Sequence, residues 1–213
     1  ITISSGKEVI NITNILLGEV WLCSGQSNME MPISGFQDQP INGSNDVLAN
    51  AYNPQIRFYT VKRKSINTPQ DTCTRNWQIA NSQSVAKFSA TAYFFAQQLQ
   101  KTLQIPVGLV HSSWGGSRIE AWIDAETMKK YPESLKSTTQ EKTAPNHRAA
   151  HLYNGMINPI KNYTIKGAIW YQGESNRGEY QYYAELMKAM IGKWKADFEL
   201  KELPFYFVQI APY

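Results

Sequence analysis

A chain of 213 residues, 42% apolar and 18% charged, with six Trp, twelve Tyr and eight Phe, is long enough for one domain and too rich in large apolar side chains to stay disordered. Lys and Arg exceed Asp and Glu by 21 to 17, a formal charge of +4, but the only basic cluster, Lys62-Arg63-Lys64, is short, so no nucleic-acid surface is expected. No apolar run approaches the roughly 18–20 residues that span a bilayer, and no membrane insertion is expected.

Residues 1–17 alternate weakly, through Ile1, Ile3, Val9, Ile10 and Ile12, and read as a hairpin left from an upstream β region. Residues 19–23 form the first short apolar run and predict a buried strand, followed by the polar turn Ser24-Gly25-Gln26-Ser27-Asn28. Residues 31–55 carry no strong period and read as loops or short helices. A second strand is predicted over 56–61. Phe88, Ala92, Phe95, Ala96, Leu99 and Leu103 then recur at helical spacing, and Pro106 opens a third strand over 107–111. After the turn Ser112-Ser113-Trp114-Gly115-Gly116-Ser117, residues 124–150 are again polar and aperiodic. A fourth strand over 168–171 leads into Gln172-Gly173-Glu174-Ser175-Asn176. Tyr180, Tyr183, Met187, Met190, Trp194 and Phe198 mark a second amphipathic helix, and Pro204 precedes a last buried strand over 205–210. The chain opens on Ile1 and closes on the apolar run 205–213, so the expectation is a single domain, 1–213, cut at its C-terminus. Cys23 sits inside an apolar strand, so it and Cys73 read as two free thiols.

Alternating strands and helices predict an α/β fold: three layers, about five parallel strands, helices on both faces. Ligands then bind beyond the carboxyl ends of the strands, where the three polar, glycine-bearing turns stand. Each admits two readings. Ser27, at a strand-to-helix turn, is a nucleophile with its own N–H facing the same space, or an ordinary helix cap. Gly115-Gly116 is a tight turn, or a backbone whose N–H is open to a substrate oxygen. Gln172 caps a loop or donates to that oxygen. Glu174 is a solvated carboxylate, a helix N-terminal acid, or the group that orients a catalytic histidine. His147 and His151 are four apart without a third ligand or a zinc signature, so no metal is expected.

Four stretches carry a resemblance. Leu17-Gly18-Glu19-Val20-Trp21-Leu22-Cys23-Ser24-Gly25-Gln26-Ser27-Asn28-Met29 is similar to the nucleophile block of sialate O-acetylesterases and the related acetylxylan esterases, a branch of the SGNH hydrolases. Trp114-Gly115-Gly116-Ser117-Arg118-Ile119-Glu120-Ala121-Trp122 resembles their second block, Leu152-Tyr153-Asn154-Gly155-Met156-Ile157 a further stretch, and Trp170-Tyr171-Gln172-Gly173-Glu174-Ser175-Asn176 the third. The resemblance implies a Ser-His esterase with a flavodoxin-like sheet that removes acetyl groups from carbohydrate, most simply O-acetylated sialic acid, without metal or cofactor. It implies Ser27 as nucleophile, oxyanion donors from Ser27 and from Gly115 or Gly116 and Gln172, and Glu174 as the acid partner of the base. Asn28, Arg118 and Asn154 are expected as supports around these, with an ion pair or turn capping as the alternative reading of each. A secreted or periplasmic location is implied by the family alone.

The family's base histidine lies in an Asp-x-x-His block beyond the last strand, and this sequence has none; its histidines are His111, His147 and His151. The 213 residues by themselves are therefore expected to be nearly inert. An acetylxylan-type polysaccharide esterase, a carbohydrate-binding relative without chemistry, and a lipase-like member are the rival readings, the last disfavoured by the polar segments 31–55 and 124–150.

Overall fold

A computed structural model describes residues 1–74, 76–140 and 142–212 of the chain. Strands β1 (Thr2–Ser5) and β2 (Glu8–Asn11) pair antiparallel as a separate hairpin. The main sheet contains β3 (Glu19–Gly25), β4 (Asn53–Thr60), β5 (Gln78–Ala80), β6 (Val107–Ser113), β7 (Gly167–Tyr171) and β8 (Phe205–Phe207), in the order β5-β4-β6-β3-β7-β8. The helices are α1 (Ser27–Glu30), α2 (Ser44–Ala49), α3 (Ser82–Ala86), α4 (Ala90–Leu103), α5 (Ala125–Met128), α6 (Pro132–Lys136) and α7 (Tyr183–Asp197).

Successive strand residues point to opposite faces, so a strand covered on both sides must be apolar throughout. Trp21 and Cys23 of β3 join Phe58, Tyr93 and Leu109 in the core beneath α4, while Leu22 joins Val110, Trp122, Trp170 and Trp194 in the core beneath α7. Trp170 meets Trp122 and Trp194 edge to face, at centroid separations of 6.1 and 5.8 Å. Helix α4 starts where the Ser89 hydroxyl accepts the Ala92 N–H, and ends at Gln104 in the left-handed conformation, two residues before Pro106.

The three-layer α/β expectation holds, with five strands parallel and β5 added antiparallel at one edge. The strand order departs from a flavodoxin sheet. Numbered along the chain, the parallel strands run 2-3-1-4-5, where flavodoxin runs 2-1-3-4-5. The chain leaves β3 for a position two places away, and α4 returns it into the gap as β6. The last strand is also corrected. It spans only Phe205–Phe207, and Tyr206 and Phe207 are exposed because β8 is the sheet edge. Tyr213, the end of that expected run, lies outside the described residues. Cys23 and Cys73 are free thiols, Cys23 buried and Cys73 half-buried.

The strand order places β3 centrally between β6 and β7, with the chain leaving to one side for β4 and β6 and to the other for β7 and β8. The carboxyl ends of these three strands therefore carry all three polar turns to one crevice.

Candidate active site

The crevice is built from the turn after β3. Gly25 ends the strand at φ 141°, and a Cβ there would overlap the Tyr171 carbonyl, so only glycine fits. That close approach lets the Gln26 N–H donate to the Tyr171 carbonyl at 2.9 Å, after which the Gln26 carbonyl accepts from Met29 and Glu30 and opens α1. Gln26 Oε1 accepts the Gly173 N–H at 3.2 Å, tying this turn to the third. Ser27 is the first residue of α1, where a backbone N–H has no intrahelical acceptor. Its hydroxyl has no hydrogen-bond partner among the described residues.

The second turn lies against it. The Trp114 N–H donates to the Gly25 carbonyl at 3.1 Å, and a Cβ on Gly115 would stand 3.7 Å from Ser27 Cβ and 2.8 Å from Glu30 Oε2. Gly115 is thus beside Ser27, with Gly116 the next residue of the same turn, and the two expected donors differ in availability. The Gly115 N–H is committed to Glu30 Oε2 at 2.8 Å, whereas the Gly116 N–H has no protein acceptor among the described residues. Glu30 also pairs with Arg63, whose guanidinium sits 5.7 Å from the centre of the Trp114 ring.

From the third turn, Glu174 Oε1 accepts from Asn28 Nδ2 at 2.7 Å. Glu174 Oε2 is buried with no hydrogen-bond partner among the described residues. Asn28 and Glu174, two of the expected residues, therefore meet next to Ser27.

Three expected residues have their polar groups engaged within the protein. Gln172 is no free donor: its amide nitrogen donates to the Ser117 carbonyl at 2.9 Å and to Asn176 Oδ1 at 2.8 Å, spending both hydrogens. Its Oε1 lies 2.7 Å from the Tyr183 hydroxyl. Arg118 is spent as well, on Glu120 at 3.0 Å and Glu179 at 2.6 Å. Burial alone would raise the Glu179 carboxyl, but its bond to Arg118 and that positive charge outweigh it and hold the group below its ordinary value. Asn154 is buried away from the turns, donating to the Ile66 carbonyl at 3.2 Å and accepting the Gln70 N–H at 2.9 Å on its own carbonyl.

The sequence did not point to the residues that hold these turns. Asn176 accepts from Ile119 and Gln172 and donates to Glu120 at 2.9 Å, and the fully buried Glu120 also accepts from Ser134 at 2.8 Å. A continuous buried network thus joins the second turn to the third. Asn146 Nδ2 donates to the Gly115 carbonyl at 2.9 Å, and His147 Nε2 to the Gly116 carbonyl at 2.7 Å.

None of the three histidines bonds Ser27. His111 is buried, 2.6 Å from the Ser113 hydroxyl and edge-on to Phe88, and burial pushes its imidazole down to about 4. His151 lies 3.2 Å from the Ser65 hydroxyl, its pKa lowered chiefly by burial. Among the described residues no group of three or more His, Cys, Asp or Glu side chains stands close enough to hold a metal ion. A hollow of about 490 Å³, lined by Arg57, Trp77, Pro106 and Gly108, lies at the opposite, amino end of the strands.

The profile of a family described as carbohydrate esterase, sialic acid-specific acetylesterase, matches residues 17–213. Sialate O-acetylesterase of Mus musculus is 30% identical over 256 aligned residues, covering all of this chain and 46% of the relative. That of Homo sapiens is 32% identical over 228, covering 96% of this chain and 42% of the relative. The chain thus spans less than half the length of these relatives. Among solved structures, a carbohydrate acetylesterase from Xanthomonas citri superposes with a TM-score of 0.77 at 37% identity, over 90% of this chain and 41% of that one. A protein from Arabidopsis thaliana shares the fold, with a TM-score of 0.58 at 21% identity over 91% of this chain and 74% of that one. With the match running from two residues before β3 to the last residue, the chain belongs to the sialic acid-specific acetylesterase family of carbohydrate esterases.

Proposed function

We propose that the chain carries the nucleophile half of a serine esterase that removes O-acetyl groups from carbohydrate, with O-acetylated sialic acid as substrate and acetylxylan-type polysaccharide as the alternative. One observation carries the reading: a Ser27 hydroxyl at a helix N-terminus, packed against the Gly115–Gly116 turn and next to Asn28, which holds Glu174, with the Ser27 hydroxyl, the Gly116 N–H and the buried Glu174 Oε2 all without a partner among the described residues. Ser27 Oγ attacks the acetyl carbonyl and loses its proton to a base. The carbonyl oxygen becomes an oxyanion held by the N–H groups of Ser27 and Gly116, and collapse expels the sugar hydroxyl, which takes the proton back. Water, deprotonated by the same base, then releases acetate from the serine.

Glu174 Oε2 supports the place of that base. A buried carboxylate oxygen without a donor is costly, and an imidazole N–H directed at it would satisfy the oxygen and fix the tautomer needed beside Ser27. His111, His147 and His151 are each bonded elsewhere, so the proposal places the base on an Asp-x-x-His segment outside these 213 residues. The 213 residues by themselves would then retain only the residual catalysis of the oxyanion hole. An extracytoplasmic location belongs to the same proposal and rests on family resemblance; among the described residues no helix is long and apolar enough to cross a membrane.

The test is made in the complete gene product, with p-nitrophenyl acetate and O-acetylated sialic acid. Ser27→Ala should abolish turnover and fluorophosphonate labelling, and Glu174→Gln should lower kcat by about 10²–10⁴ through loss of tautomer control. A Ser27→Ala protein that still turns over, or wild type that resists fluorophosphonate, would sink the reading in favour of a carbohydrate-binding relative without chemistry.

A further inference from the structure

Three side chains, Asn146, Glu30 and His147, hold the Gly115–Gly116 turn although none is nucleophile nor oxyanion donor, and His147 holds only the Gly116 carbonyl, beyond the peptide that joins the two glycines. The Gly115–Gly116 peptide is trans, so the Gly115 carbonyl and the Gly116 N–H, which share one peptide plane, point in opposite directions. Asn146 Nδ2 donates to that carbonyl at 2.9 Å, and the Asn146 backbone is itself fixed by the Arg118 N–H at 3.3 Å. On the Ser27 side, Glu30 Oε2 holds the Gly115 N–H at 2.8 Å. Gly116 has φ 70°, and two adjacent glycines offer the least resistance to rotation of the peptide between them. The direction of this N–H is therefore set by its tethers and not by intrinsic backbone preference.

We infer that Asn146 is a positioning residue of the oxyanion hole: by holding the Gly115 carbonyl away from Ser27, it turns the Gly116 N–H toward the oxygen that becomes negative. This rests on the acyl-transfer reading above. Asn146 acts through Gly116 and touches no substrate, so its loss weakens binding of the transition state more than binding of the ester. Deleting an oxyanion donor costs about 10²–10³ in kcat. A donor that stays but is no longer aimed costs less, and Asn146→Ala should lower kcat about 10–100-fold while KM stays within about twofold.

The experiment uses the complete gene product with Asn146→Ala, Asn146→Asp, which keeps the size but cannot donate, and Ser27→Ala measured alongside. Activity surviving in Ser27→Ala overturns the acyl-transfer reading. An inactive Ser27→Ala with both Asn146 variants within about twofold of wild-type kcat leaves that reading standing and overturns this inference. A merely structural role is separated by methylboronic acid, which forms a tetrahedral adduct on serine: its affinity should fall by the same factor as kcat/KM, while acetate affinity holds. Equal weakening of both ligands overturns the inference. Wild-type protein labelled with nitrogen-15 gives a readout that needs no variant to fold. On adding the boronic acid, the Gly116 amide proton should move downfield as the N–H donates to the anionic oxygen, and an unmoved Gly116 signal in a formed adduct overturns the inference.

Discussion

Gln172 shows how much the direction of two hydrogens decides. The residue type suits an oxyanion donor and the turn lies at the right edge of the sheet, yet both amide hydrogens are spent inside the protein, on Ser117 and Asn176. Gln172→Ala would take the side-chain donor from the buried Ser117 carbonyl, where an unsatisfied polar group costs about 1–3 kcal/mol, while Asn176 Oδ1 keeps the Ile119 N–H and the Tyr183 hydroxyl keeps the Gln172 backbone carbonyl. The expected outcome is a loss of about 1–3 kcal/mol in urea unfolding, read as a lower midpoint at unchanged slope. A pure substrate donor would lose turnover and leave the midpoint where it was. His111 gives a second expectation at this scale. Burial, with a smaller contribution from the Arg63 charge, lowers its pKa from 6.5 to about 4, against a raising hydrogen bond to the Met29 backbone. The unfolded chain then takes up a proton near pH 6.5 that the folded chain refuses until about pH 4. Stability is complete above pH 6.5 and drains away as the pH falls, by about 2 kcal/mol between pH 7.5 and 5. His111→Gln should remove that share of the pH dependence. Wild type and variant losing stability in parallel over this range would exclude the imidazole as its source.

At the scale of elements, what was legible followed from burial on two faces. Trp21, Leu22 and Cys23 serve opposite cores in turn, so β3 reads as a continuous apolar run, and β6 and β7 read the same way for the same reason. Helices α4 and α7 each bury one stripe, and their 3.6-residue period shows in the sequence. The signal failed where burial is one-sided or the element is short. Phe205, Tyr206 and Phe207 look like core residues, but β8 has a neighbour on one side only, and Tyr206 stacks on Trp21 from a largely exposed position. Strand β5 has three residues and pairs only with β4, too little for any period. The site divides along the same line. Turns at strand ends are local, so Ser27, Gly116 and Glu174 could be singled out before their neighbours were known. Glu30 meets Gly115 across 85 positions and Asn146 across 31, and no local pattern announces a side chain whose task is to hold a distant peptide.

The whole molecule is less uniform than its single sheet implies. Hairpin β1–β2 is exposed at every residue of both strands, and Ile1, Ile3, Val9 and Ile10 among them cover no core. A lone two-stranded hairpin is marginal in water, so this one should contribute almost nothing to the stability of the main sheet. The strap that follows it is different. Asn14, at φ 56°, accepts Arg57 Nη1 on its carbonyl at 2.6 Å and Arg57 Nη2 on its side chain at 2.7 Å, while Ile12, Ile15 and Leu16 line the hollow opposite Trp77 and Pro106. Two truncations separate these parts. Removing residues 1–11 should leave the thermal midpoint within about a degree, since no buried apolar surface is lost. Removing residues 1–16 takes away both acceptors of a guanidinium and the apolar cover of the hollow, and hydrogen bonds to a charged group alone are each worth about 1.5–3 kcal/mol when shielded and less at this exposed site. A further drop of several degrees relative to the shorter truncation is expected, because 1 kcal/mol moves the midpoint of a domain of this length by about 2–4 °C. If the 1–11 deletion already carries the whole loss, the hairpin is bearing on the sheet in solution and its exposed apolar side chains are packed there against something; if neither deletion costs anything, the Asn14–Arg57 tether adds nothing to the fold.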